Sequence, residues 1–450
     1  MSSVPLSKVV QVERPEGEVS EDQVALAFAA NYRNTLRYDH DHGRWFEWDG
    51  VRWKPDRCDR GFHYAREISR RMGDGKRSMC KASVANGAER MARADPDLAV
   101  TSEEWDRDLF MLGTPGGVVD LRSGKLLESC PSYRITKITS ATPTRGTPKR
   151  WLAFLNDATG GDREMIDFIQ RWLGYCLTGD TREHVLLFVH GGGGNGKSVL
   201  LNTVTRILGD YAVTAAMETF TATRGEKHTT DVAMLRGARV VTASETEEGK
   251  AWAEARIKQM TGADPITARF MRKDNFTFIP QFKLTIVGNH APAIKNVDEA
   301  MRRRFRVIPF DRKPVSPDRM LERKMEEEWP LILQWMIEGC LRWQEKGLPV
   351  PSIMQEATDT YFEEQDVVGQ WIKQYCEVGP GKWEPVATVF KNWKAFAIAS
   401  GEDPGSAKSF GGSLERRGFK RGKSPDGNSR AFKGLALRIP DYDPDQGFVR

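Results

Sequence analysis

The sequence predicts a multidomain α/β protein. A parallel sheet covered by helices is preceded by a small α+β domain and followed by a helical segment and a winged-helix-like domain. Three observations predict it. Apolar runs at Val185–Val189, Arg239–Ser244 and Phe282–Val287 alternate with helical stretches, as parallel strands buried on both faces do. Upstream, Asp49-Gly50 and Ser123-Gly124 each sit between alternating segments and mark hairpins. Near the end, a Gly/Pro/Asn-rich loop separates a helical stretch from a basic strand.

The 450 residues exceed a single domain, and 39% hydrophobic with 10% aromatic content is enough to build real cores. The net charge of +5 fits nucleic acid and many other partners, so its distribution carries more information than its sum. Six scattered cysteines without a CxxC pair argue against structural zinc and a disulfide framework, and fit a reducing compartment. No apolar run reaches the roughly 20 residues that span a bilayer, and the acidic start lacks an export signal. The expected setting is cytoplasmic, with no membrane partner.

The elements divide the chain as follows. Residues 1–20 form a flexible tail. Residues 21–145 form the α+β domain: a helix at 21–36 capped by Ser20, a hairpin over 44–53, helices over 60–97 and a hairpin over 117–128. Residues 146–180 form a helical linker or oligomerisation segment. The sheet core spans 181–312, a helical extension 313–354 and the winged-helix-like domain 355–450.

The segment Gly191-Gly192-Gly193-Gly194-Asn195-Gly196-Lys197-Ser198-Val199 contains a full G-x-x-x-x-G-K-[ST] pattern between a strand and a helix. Glycines let backbone N–H groups face phosphate oxygens, and the helix N-terminus adds positive potential. Lys197 is the candidate β/γ-phosphate ligand and Ser198 the candidate Mg²⁺ ligand, which implies ATP and Mg²⁺ as cofactors. Glu245, at the end of the next apolar strand, is the candidate to hold the Mg²⁺ shell or polarise water; Glu247 and Glu248 follow it. Asn289 ends the third strand in the crevice where α/β sheets bind ligands. Among Arg302, Arg303, Arg304 and Arg306, one arginine is placed to stabilise phosphoryl charge in a neighbouring subunit.

This order of motifs resembles superfamily 3 helicases, and most closely the phage/plasmid primase-helicase family related to poxvirus-type primase-helicases. Leu235–Gly249, Lys258–Arg269 and Asp298–Phe310 are similar to that family's successive blocks, and Gly117–Leu126 to its N-terminal helicase-associated domain. The resemblance implies an AAA+-like ATPase core with Lys197 and Ser198 as Walker A, Glu245 as Walker B and Asn289 as sensor 1. Arg304 is its preferred trans-acting finger, with Arg303 second. It further implies a homohexameric ring that translocates 3′ to 5′ on single-stranded DNA. Many members carry two adjacent acidic residues in Walker B, whereas Ser244 precedes Glu245 here.

DNA contacts are expected at two places. Residues 269–283 read as a hairpin tipped by Arg272 and Lys273, with Arg269 beside it; cations without a base code suit a motor that crosses all sequences. Residues 408–438 carry nine basic and two acidic residues, with Arg416, Arg417, Lys420 and Arg421 at the centre. Asp39-His40-Asp41-His42 is read as a polar loop rather than a metal site, and Trp45, Trp48 and Trp53 as an aromatic core. The expected activity is ATP-dependent unwinding of forked DNA in a phage, prophage or plasmid, in a bacterial cytoplasm, with a separate primase or polymerase as a second partner. The alternative is an ATP-gated initiator that binds DNA and recruits a primase without unwinding.

Overall fold

A computed structural model describes residues 18–222, 230–244, 250–271, 274–294, 298–314, 316–425, 427, 429–438, 442–443 and 447–448. It divides into two compact units. One comprises the described residues up to Pro292 with Arg303–Gln355; the other comprises Ala293–Arg302 with Glu356–Arg450.

The first unit opens on the helix Glu21–Tyr32, started by a capping box in which Ser20 and Gln23 exchange hydrogen bonds. It stops before residue 36 because Leu36–Asp39 pairs as a strand with Arg44–Trp48. That strand is central in a four-stranded sheet, between the expected hairpin and Ala99–Val100. Asp49 fixes the hairpin turn by accepting the N–H groups of Val51 and Arg52, both at 2.9 Å. The helical stretch 60–97 is two helices, Arg60–Met72 and Ala82–Ala92. The 117–128 hairpin is joined by Met111–Thr114 into a three-stranded sheet.

Five strands form the central parallel sheet: β1 (Leu186–His190), β2 (Ala212–Thr214), β3 (Val240–Ser244), β4 (Lys283–Gly288) and β5 (Phe305–Pro309). Their order is β5-β1-β4-β3-β2. β1 therefore lies between β4 and β5, with His190 opposite both Gly288 and Pro309. The near-continuous burial of β1 and β4 is that of strands covered on both faces. The helical segment expected over 146–180 is two helices, Lys149–Thr159 and Arg163–Cys176, divided at Gly160-Gly161. Arg163–Cys176 packs on Trp329–Lys346 backbone to backbone: a Cβ on Gly174 would lie 2.1 Å from the amide nitrogen of Cys340.

Two cations sit under the N-terminal ends of the strands. Arg239 donates to the carbonyls of Leu177 and of Met111 (2.5 Å) and lies 4.4 Å from the Tyr211 ring centre. The Tyr211 hydroxyl accepts the Gly113 N–H and donates to the Lys137 carbonyl, both at 2.9 Å, which ties the upstream three-stranded sheet to the central one. Lys283 is buried, donates to the carbonyls of Thr178 and Asp180, and stands 4.7 Å from the Tyr175 ring centre.

In the second unit the order after Val367–Tyr375 is strand Cys376–Pro385, helix Val386–Ala399, helix Ala407–Arg416, then strands Lys420–Lys423 and Arg430–Leu437. The last strand is central in their three-stranded sheet. Its core is aromatic, with Trp393 stacked on Phe410 at 5.0 Å. No helix among the described residues is long and apolar enough to cross a membrane.

Burial pushes the Lys283 ammonium down to about 7. The unfolded chain keeps that proton to about pH 10.4. Between these values the unfolded state binds more protons, so stability rises with pH, by up to about 1.4 kcal/mol per unit from this group. In denaturant titrations from pH 7 to 9, wild type should therefore gain on Lys283→Met. Parallel pH profiles for the two proteins would show that Lys283 is not the source.

Candidate functional site

The candidate site forms where the C-terminal ends of β1, β3 and β4 meet. A cleft of about 720 Å³ is lined there by Gly193–Val199, Ser244, Gly288 and Asn289. The loop after β1 runs into the helix Lys197–Leu208, whose N-terminus points its free N–H groups toward the cleft. Glycine is required at Gly191, where φ is +154° and a Cβ would lie 2.0 Å from the Phe310 carbonyl oxygen. At Gly196, with φ +89°, a Cβ would meet the Phe154 ring at 2.7 Å.

Lys197 is buried, and its Nζ donates to the carbonyls of Gly191 (2.7 Å) and Gly192 (2.9 Å) and to Asn195 Oδ1 (2.8 Å). Burial lowers its pKa, with Asp311 opposing the shift. Ser198 is exposed to the cleft, as are Ser244 and Asn289. Glu245 follows Ser244 directly but lies outside the described residues, as do Glu247 and Glu248. Among the described residues no group of three His, Cys, Asp or Glu is placed to hold a metal ion.

The other wall of the cleft is absent from the motif reading. It is built by Arg150, Phe154 and Asp157 of the Lys149–Thr159 helix and by Arg312, Asp318 and Lys324 after β5. The two segments are tied by Glu328, which accepts the Arg150 N–H at 3.0 Å, and by Arg150 Nη1 on the Lys324 carbonyl at 3.1 Å. Only the polar positions Arg150 and Asp157, flanking Phe154 on a helix with a buried face, could have pointed to it.

The four arginines are not equivalent. Arg302, in the second unit, pairs with Asp359 at 2.9 Å and lies over Phe362. Arg306 is half-buried and donates to the Phe305 carbonyl. Arg303 is exposed and Arg304 half-buried in the turn that enters β5. They stand at the opposite end of the sheet from the glycine loop, since the Arg304 carbonyl accepts the first N–H of β1. Five strand residues separate the two ends, about 16 Å at ~3.3 Å per residue.

The hairpin after β3 pairs Ile266–Ala268 with Phe276–Phe278. Arg269 is exposed on it, and Phe270 stacks on Phe276 at 5.5 Å. Arg272 and Lys273 lie outside the described residues. In the second unit, Arg416 and Lys420 are exposed. Arg417 instead forks onto Asp366, and Arg421 pairs with Glu415 at 3.1 Å and covers the Phe432 ring. The Asp39–His42 segment makes internal bonds: buried Asp39 accepts from His42 Nδ1 and Trp105 Nε1, both at 2.7 Å, and His40 bonds the Arg93 carbonyl at 2.9 Å. Trp45 and Trp53 are buried.

Fold and site together place the chain among mixed α/β proteins with a glycine loop at the edge of a parallel sheet. Comparison with known proteins narrows this. Residues 25–160 match the family described as D5 N terminal like, and residues 189–304 match a family of unknown function, DUF5906. "Putative helicase L207/L206" of Acanthamoeba polyphaga mimivirus is 26% identical over 60% of this chain and 31% of its own length. "Putative helicase 022R" of Frog virus 3 is 28% identical over 50% of this chain and 26% of its own. "Putative primase C962R" of African swine fever virus is 23% identical over 64% and 33%. The chain thus spans about a third of the length of these relatives. A solved structure of the NrS-1 C terminal region (305–718) shares the fold, with a TM-score of 0.55 at 10% identity over 93% of this chain and 100% of that one. The chain thus carries a D5 N terminal like domain over residues 25–160 and is similar to viral proteins named putative helicase or putative primase.

The Arg417–Asp366 pair is mostly buried, with side chains 25% and 19% exposed. Arg417→Ala should destabilise the protein by about 1–3 kcal/mol in denaturant titration. Arg416→Ala should stay within about 0.5 kcal/mol of wild type. Equal effects would refute this division of structural from free cations.

Proposed function

We propose that the chain is an ATP-dependent DNA helicase of phage, prophage or plasmid replication. Six copies form a ring, hydrolyse ATP between subunits, translocate 3′ to 5′ on single-stranded DNA and unwind the duplex ahead. One observation carries the reading. Arg303 and Arg304 lie at the end of the sheet away from their own glycine loop, which supports their serving the loop of another copy.

In this reading the loop Gly191–Val199 is a P-loop whose N–H groups bind the phosphates, and Lys197 moves from its own carbonyls to the β/γ-phosphates. Ser198 and Glu245 would hold Mg²⁺; a hydroxyl and a carboxylate beside phosphate oxygens suit this hard cation, which keeps several waters. The ion supplies neutralisation of charge on the transferring phosphoryl group. Glu245 polarises the attacking water, Asn289 orients it or the γ-phosphate, and Arg304, with Arg303 second, stabilises transition-state charge from the neighbouring subunit. Arg269, Arg272 and Lys273 of the hairpin hold the strand by its phosphates.

The second unit is proposed as a winged-helix DNA-binding domain. Its helix–strand–helix–helix–strand–strand order, with the last strand central, supports that. Ala407–Arg416 would meet duplex DNA, with Arg416 and Lys420 on phosphates and Arg417 and Arg421 holding the helix and wing in place. The relatives' names, helicase and primase, support a replication role.

Wild type should hydrolyse ATP faster with DNA and unwind a forked duplex. Lys197→Ala should lose both by about 100-fold or more. Binding of ATP and forked DNA without unwinding would transfer the function to the initiator reading.

Arg304→Ala should bind ATP yet turn over about 1,000-fold more slowly. Mixing it with Lys197→Ala should restore hydrolysis, because some interfaces then join an intact loop to an intact arginine. If two inactive variants stay inactive when co-assembled, the trans assignment is wrong.

A further inference from the structure

The glycine loop is bonded to the residue that follows β5, the strand that Arg303 and Arg304 lead into, and one side chain makes that connection. Asn195 is only 3% exposed. Its Oδ1 accepts from Lys197 Nζ, and its Nδ2 donates to the Phe310 carbonyl. The Phe310 peptide is gripped on both sides: its N–H donates to the His190 carbonyl at 2.6 Å, and its oxygen lies where a Cβ on Gly191 would be. Phe310 immediately follows β5, and Arg303-Arg304 immediately precede it. β5 is the sheet edge, hydrogen-bonded to β1 alone.

An ammonium has three N–H donors, and Lys197 spends them on Gly191, Gly192 and Asn195. Binding a β/γ-phosphate requires giving up at least one of these bonds. The amide of Asn195 is a rigid plane, so a change at Oδ1 turns Nδ2 and is felt at the Phe310 carbonyl. β5, five residues long and mostly buried, carries that displacement toward Arg303 and Arg304 because a close-packed interior has low compressibility and transmits strain.

We propose that Asn195 is a positioning residue that couples phosphate capture by Lys197 to the placement of Arg303 and Arg304, so that filling one site prepares the arginine delivered to the neighbouring copy. The proposal rests on the ATP-motor reading above, and its test separates the two.

The measurements are steady-state ATP hydrolysis by the full chain on forked DNA and binding of a fluorescent ATP analogue. Wild type should respond cooperatively to ATP. Asn195→Ala should bind the analogue within about threefold of wild type, or more tightly, because Lys197 loses a competing acceptor. Its kcat should fall about tenfold or more, as mispositioned groups cost, and its Hill coefficient should fall to about one. Asn195→Asp keeps the size and the acceptor for Lys197 but loses the donor to Phe310, so it should also lose cooperativity while staying folded. Weakened binding in step with lost turnover would make Asn195 part of the phosphate cradle and overturn the proposal. Wild-type cooperativity in both variants, or a non-cooperative wild type, would overturn it too. Undiminished turnover in Lys197→Ala would instead overturn the reading of the site itself.

Discussion

The parallel pairing of β1 between β4 and β5 sets everything else. A parallel sheet has polarity, so every strand delivers its C-terminal end to one side and its N-terminal end to the other. With His190 aligned to Gly288 and Pro309, the glycine loop, Ser244 and Asn289 gather on one edge. The same register sends Arg303 and Arg304 to the far edge. No side-chain rearrangement can bring them to their own loop, because the separation is fixed by strand length. The glycine loop and the two arginines therefore face opposite ends of the sheet, which is the geometry the proposed head-to-tail ring requires.

Polarity also has a cost at the lower edge. Arg239 and Lys283 both open strands there and are buried. Two basic side chains in an apolar base are tolerable because each donates to backbone carbonyls, Leu177 and Met111 for one, Thr178 and Asp180 for the other, and because Lys283 gives up its proton near pH 7. These carbonyls belong to the chain leaving the Arg163–Cys176 helix and to the upstream three-stranded sheet. The cations thus join the core to the domain before it, and the lowered pKa of Lys283 is the electrostatic trace of that junction.

Three of the five central strands were legible in the sequence because they are continuous apolar runs, and the loop motif because it has a fixed position between strand and helix; the short edge strand Ala212–Thr214 and the basic-flanked Phe305–Pro309 were not read as strands. Hairpins at Asp49-Gly50 and Ser123-Gly124 were legible because turn chemistry is local. What could not be read depended on partners distant in the chain. The helix expected over 21–36 ends at Tyr32, because Leu36–Asp39 pairs with Arg44–Trp48 instead. Gly160-Gly161 divides the helical segment expected over 146–180 into two helices. The cleft wall joins residues near 150 to residues near 320, and no local pattern pairs them. Asn195 was visible as a loop member, but its bond to Phe310, 115 residues away, was not.

The basic C-terminal stretch shows why a summed charge is a coarse guide. Arg417 is spent on Asp366, and Arg421 on Glu415 and the Phe432 ring, so two of the four residues singled out there stabilise the fold first. The remaining cations are arranged against the fold's own interest. In the register of the last two strands, Lys420 stands opposite Lys433 and Lys423 opposite Arg430. Like charges directly across an antiparallel pair destabilise it by a few tenths of a kcal/mol or more. The two pairs lie three residues apart and so face opposite sides of the hairpin; a polyanion laid along either side would turn that side's pair from repulsive to attractive. The placement of these charges, rather than their number, is what supports a nucleic-acid-binding role for the second unit.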